Sequence, residues 1–158
     1  SLEKGSNRCK SVFKSYTDTD TGLVLNYQMT VKDYARLIGE KTIINLNLEP
    51  ILASESLDDD RINPLEIEHT NKMVRFFSLA IPETLRVSHL PESDSFQNEK
   101  FSYDLQYSVV GQQIHYRLEI KTMTLQLDPE DFEAWNDMVK SLRRNYQKTI
   151  ILIPDETL

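Results

Sequence analysis

Along Phe101, Tyr103, Leu105, Tyr107 and Val109 every second residue is apolar, and the alternation restarts at Ile114, Tyr116, Leu118 and Ile120. A period of two marks strands with one buried face, and Val110-Gly111-Gln112-Gln113 between them supplies a hairpin turn in which Gly111 can take positive φ. The second strand reads as continuing to Leu127, but its phase changes. Ile114 to Ile120 occupy even positions, whereas Met123, Leu125 and Leu127 occupy odd ones. A one-residue shift would turn the apolar face to solvent, so a β-bulge near Lys121-Thr122 is expected. Asp128-Pro129 then opens a helix, with Asp128 at the N-cap, Pro129 at the first helical position and Asp131 beside the positive helix end. Phe132, Trp135, Met138, Val139 and Leu142 recur at helical spacing and are expected to pack on sheet residues including Leu118 and Ile120. Arg143, Arg144 and Lys148 fall at the negative end. Thr149 to Ile153 is short, apolar and β-branched, as a buried final strand would be.

Upstream, Arg8 to Tyr16 and Leu23 to Val31 read as two strands around the turn Asp18-Thr19-Asp20-Thr21-Gly22. Leu23, Leu25, Tyr27, Met29 and Val31 alternate with polar residues, which predicts one buried face. From Val31 to Gly39 the period changes: Tyr34, Leu37 and Ile38 lie at i, i+3 and i+4, Asp33 suits an N-cap, and Gly39 suits a stop. A short helix is predicted there. Thr42 to Leu48 resumes strand character, with Ile44, Leu46 and Leu48 on one face. Pro50 to Pro64 is an acidic connection long enough to be a functional or mobile loop, or to be in part irregular structure packed on the sheet. Leu65 to His69 and Met73 to Ile81 are expected as the next strand pair, joined by Thr70-Asn71-Lys72 and ended by Pro82. Val87 to Leu90 reads as a brief strand and Glu92 to Glu99 as a polar loop.

This string of elements predicts a mainly β fold: an antiparallel two-sheet sandwich with one short helix and one C-terminal amphipathic helix. It is read as a single β-rich domain over residues 1–158, with 1–50 giving the N-terminal strands and short helix and 51–158 the main sandwich. A chain of 158 residues buries about 70% of its unfolded surface, so it needs no disulfide or metal to fold. Net charge of −7 argues against nucleic acid and anionic membranes as partners. Cys9 is the single cysteine, which excludes an intrachain disulfide and a cysteine metal cluster. No run of about 18 apolar residues occurs, so no helical membrane insertion is expected. The chain opens on Ser1-Leu2-Glu3-Lys4 without a methionine, and a piece of a longer protein is the expectation.

Candidate chemistry is sparse. His69, His89 and His115 are far apart, without the H-x-x-x-H or H-E-x-x-H spacing of zinc sites. Cys9 lies in a polar lead-in beside Arg8 and Lys10, with nothing to orient a base toward it. Asp58-Asp59-Asp60 offers oxygen ligands but lacks the register of a calcium loop. Gly5, Gly22, Gly39 and Gly111 each stand alone, so no phosphate-cradling loop exists. Phe76-Phe77 cannot both point inward from a regular strand; the outward ring is the best candidate for contact with a neighbouring domain or partner. No catalytic, cofactor-binding or metal residue is assigned.

From Arg61 onward the order of motifs is familiar. Arg61-Ile62-Asn63-Pro64 is followed by Ile81-Pro82-Glu83-Thr84-Leu85-Arg86-Val87-Ser88-His89-Leu90-Pro91. Then come Phe101-Ser102-Tyr103, Pro129-Glu130-Asp131-Phe132-Glu133-Ala134-Trp135 and Gln147-Lys148-Thr149-Ile150-Ile151-Leu152. This resembles the C-terminal β domain of bacterial, Bacteroidetes-type transglutaminase-like proteins that also carry an N-terminal domain of unknown function. It departs from that pattern at Thr84-Leu85, where glycine and an aromatic are usual. The family's Cys-His-Asp triad would lie upstream, so no catalytic residue carries over. The resemblance implies a non-catalytic accessory domain, partnered by an upstream transglutaminase-like domain, in an exported protein of the periplasm or cell surface. The alternative is a free-standing glycan- or peptide-binding sandwich.

Overall fold

Alternation and turn chemistry translate into a β-rich chain in the computed structural model, which describes residues 9–19, 22–31, 33–47, 50–58 and 60–156. It divides into two units, Ser1–Arg36 and Leu37–Leu158. In the first, β1 (Cys9–Thr19) and β2 (Gly22–Val31) pair antiparallel, with a register slip between Phe13 and Ser15. Both expected strands are therefore present. Asp20 and Thr21 of the predicted turn lie outside the described residues, as do the side chains of Leu23, Leu25, Tyr27 and Met29 on which the predicted buried face rests.

The chain continues through β3 (Arg36–Ile38), β4 (Lys41–Ile44), β5 (Leu65–Glu66), β6 (Asn71–Ala80), β7 (Leu85–His89) and β8 (Asp94–Gln97). Then follow β9 (Phe101–Val110), β10 (Gln113–Thr122), β11 (Gln126–Leu127), helix α1 (Phe132–Asn145) and β12 (Ile150–Pro154). One four-stranded sheet runs β6-β10-β9-β8, a second runs β3-β4-β12-β7, and β5 pairs with β11. The architecture is mainly β and antiparallel, in keeping with a sandwich.

Inward residues of both larger sheets share one core with the helix. Phe101, Leu105, Ile114 and Leu118 from the first sheet, Ile44, Ile150 and Leu152 from the second, and Met138, Val139 and Leu142 from α1 are all buried. Trp135 meets Phe101 edge to face, with ring centroids 5.2 Å apart. The β9–β10 hairpin closes over a two-residue loop with Gly111 at φ 56°, the first-position geometry of a primed turn. A 3-10 turn, Pro129–Asp131, precedes α1, and the Asp131 carboxylate accepts the Asp128 N–H at 2.8 Å. The strand between β4 and β7 is β12, the final strand expected to be buried.

Several expectations are corrected. The predicted helix over Val31–Gly39 is instead a turn and β3, with Asp33 at φ 56° and Gly39 at φ 59°. Leu37 and Ile38 are mostly exposed, so no core contact rewarded a helical turn, and Gly39-Glu40 folds β3 back beside β4. The strand expected over Thr42–Leu48 ends at Ile44, and Leu48 is outside the described residues. Leu65–His69 and Met73–Ile81 do not pair with each other: β5 takes β11 and β6 takes β10. The polar stretch Glu92–Glu99 contains β8, which edges the first sheet.

The ladder is interrupted where the phase change predicts, at Met123, but by a strand end in place of the expected bulge at Lys121-Thr122: β10 keeps its register with β6 and β9 through Thr122. The phase change is resolved by ending the strand there. Met123 and Leu125 are left exposed, and Leu127 is fully buried from the separate strand β11. The Pro50–Pro64 connection is irregular structure packed on the core through Ile51, Leu52, Ala53 and Leu57.

Candidate functional site

The two phenylalanines of β6 take opposite faces, as a period of two requires. Phe77 points inward and lies 5.6 Å from the Tyr116 ring, whereas Phe76 points outward and is 61% exposed. Its ring stacks on the outward His115, centroids 5.6 Å apart and planes at 22°. Val74, the next outward residue of β6, is also exposed. The His115 Nδ1 is buried with no partner among the described residues.

Beside this apolar strip lies a charged cluster. Val74 stands opposite Glu119 of β10. The Glu119 carboxylate meets Lys121 Nζ at 2.5 Å and Lys72 Nζ at 3.6 Å, and also contacts Arg117, which reaches Asp104 at 3.2 Å. The hydrogen bond from Lys121, reinforced by the cations around it, outweighs desolvation and holds the Glu119 carboxyl down at about 2. A carboxylate so fully neutralised is a poor proton donor or acceptor near neutral pH.

On the inward face Asp94 of β8 accepts three side-chain hydrogen bonds on Oδ2: Tyr103 OH at 2.7 Å, Ser141 Oγ at 3.0 Å and Asn145 Nδ2 at 2.6 Å. Burial alone would raise this carboxyl, but those donors and the Ser95 amide hold it below the usual range. Burial pushes the Tyr103 phenol up to about 12, with Asp94 adding to the rise. The cluster ties β8, β9 and α1 together. Sequence reasoning missed it because Asp94 sat in an assumed loop. One signal was available: Asn145 continues the apolar stripe of Met138 and Leu142 at helical spacing.

The three histidines singled out from the sequence do not converge. His69 follows β5, His89 ends β7 in the second large sheet and His115 lies in β10 of the first, so each sits in a different setting. The Cys9 and Asp59 side chains lie outside the described residues, while Asp58 and Asp60 are exposed. Among the described residues no three His, Cys, Asp or Glu side chains come together as metal ligands would.

Residues 40–152 match a family model described as a Domain of Unknown Function with solved structure, DUF3858. The chain belongs to the DUF3858 family. Both large sheets bar β3 and the end of β12, the small β5–β11 pair and the helix fall in the DUF3858 range, whereas β1 and β2 precede it. No curated protein matches the chain. This chain is similar in fold to part of a crystal structure described as a "putative protease" from Parabacteroides distasonis, with TM-score 0.59 and 11% identity. That likeness covers 77% of this chain and 24% of the other, so the chain spans about a quarter of that protein's length.

Proposed function

We propose that this chain is a non-catalytic accessory domain of a longer, exported bacterial protein that carries a transglutaminase- or protease-like cysteine module. Its outer sheet face, centred on Phe76, holds it against the rest of that protein. The observation that carries this reading is the likeness to about a quarter of a larger protein described as a protease. The order of motifs from Arg61 to Leu152 supports the transglutaminase-like partner and the periplasmic or surface location. Catalytic inertness is supported by the placement of the titratable groups: Glu119 is neutralised by cations, Asp94 is bound by neutral donors, and the histidines are dispersed.

Two measurements test it. The purified chain, assayed on peptidase, amidase and amine-transfer substrates, should show no turnover, while the full-length protein should be active. Turnover by the chain that disappears on mutating Cys9 or a histidine would overturn the reading. Hydroxyl-radical footprinting should label Phe76 more strongly in the isolated chain than in the full-length protein; equal labelling would remove the proposed contact.

A further inference from the structure

A groove of about 550 Å³ opens between the 51–55 segment, the extended run from β5 to the start of β6, and helix α1. Its floor is apolar. Leu52, Leu65 and Ile67 are partly buried against the core, and Trp135 is 4% exposed. Its rim is acidic. Glu55, Glu66 and Glu68 line it and are exposed, and among the described residues none of the three makes an ion pair.

The walls are already fixed. Trp135 Nε1 donates to the Glu55 carbonyl at 2.7 Å, Tyr146 OH to the Ile51 carbonyl at 2.9 Å, and the Ile67 N–H to the Leu125 carbonyl at 2.9 Å. A groove held this way loses little freedom when it is filled.

We propose that this groove binds an extended basic peptide segment in which lysine or arginine alternates with apolar residues. Apolar side chains, and the methylene stems of the basic ones, cover the floor while the cationic heads reach the three carboxylates. A small amine would satisfy the rim and leave the floor wet, whereas an apolar ligand alone would leave three carboxylates without counter-charge. Among the described residues β5 has one strand neighbour, β11, and an extended chain would pair along its other edge. This inference stands independently of the accessory-domain reading, because it concerns a different face.

Trp135 is the only tryptophan, so its emission reports occupancy of the groove directly. Titrating the chain with an octapeptide of alternating lysine and leucine should give a saturable change in that emission. The double variant Glu66→Lys/Glu68→Lys should weaken binding about tenfold or more, as expected for two reversed pairs. The charge-matched control Glu83→Lys/Glu99→Lys should leave it within about twofold, because neither residue lines the groove. A glutamate-leucine octapeptide should give no change. Absence of saturable binding, equal weakening by both double variants, or equal binding of the glutamate peptide would each overturn the proposal.

Discussion

Asp94 and Glu119 belong to the same four-stranded sheet and point to opposite faces of it, and they are held in opposite ways. Asp94 faces the helix and is fixed by three neutral donors, each with its own direction. Glu119 faces outward and is fixed by lysine and arginine side chains whose long stems can re-form their contacts in other geometries. The inner carboxylate therefore specifies how α1 seats on the sheet. The outer one neutralises a charge cluster beside an exposed aromatic ring. Hydrogen bonding of the first kind resists salt and is lost with any one partner; ion pairing of the second kind is screened.

The largest effect should come from the inner face. Trp135→Ala removes a buried ring from the shared core and its bond to the Glu55 carbonyl, and should cost about 3–5 kcal/mol in urea unfolding. An unchanged midpoint would mean that α1 is not seated as described. Asp94→Ala should cost about 1–3 kcal/mol, because it strands the donors of Tyr103, Ser141 and the buried Asn145. A loss no larger than that of an exposed aspartate such as Asp137 would break the comparison at its centre.

Acid titration sharpens it. Both carboxyls are depressed in the folded chain, Glu119 to about 2. Their stabilisation is thus fully present above the unfolded values of about 4 and is lost as pH falls through the folded ones. For Glu119 that window runs from about 4.3 down to about 2. Unfolding midpoints followed across it should fall less steeply in Asp94→Asn and in Glu119→Gln than in the parent chain. At about 1 M salt, where the screening length is about 3 Å, the Glu119 difference should shrink while the Asp94 difference persists. Equal salt sensitivity of the two would erase the distinction.

The two faces were unequally legible from sequence. The inner face announces itself through alternation, because Phe101 to Tyr107 and Ile114 to Ile120 must all reach one core. The helix is equally plain, since Phe132 to Leu142 repeats over three turns and is preceded by proline and aspartate. Short elements were not. Three apolar residues, Tyr34, Leu37 and Ile38, fit one turn of helix as well as a strand, and only pairing with β4 decides between them. β8 is an edge strand of mixed polarity, so its pattern is that of a loop until β9 supplies the ladder. The outward cluster around Glu119 needed the cross-strand register, because period two says which face a residue takes but not which neighbour it meets. Asp94 needed both register and helix placement.

The smallest stability effect should come from Phe76→Ser. The ring is 61% exposed, so little apolar surface returns to water when it is removed. Its one described ring contact is the stack on His115, whose buried Nδ1 has no described partner. The net change in urea unfolding of the isolated chain should stay within about 0.5 kcal/mol, the range of surface substitutions that touch no special feature. If the proposed contact with the rest of the protein is made, the same substitution in the full-length protein should increase hydroxyl-radical labelling of β6 and its outward neighbours. A loss of about 2 kcal/mol or more in the isolated chain, well outside that surface range, would instead make Phe76 a structural residue of this unit. It would also move the search for the contact surface to another face.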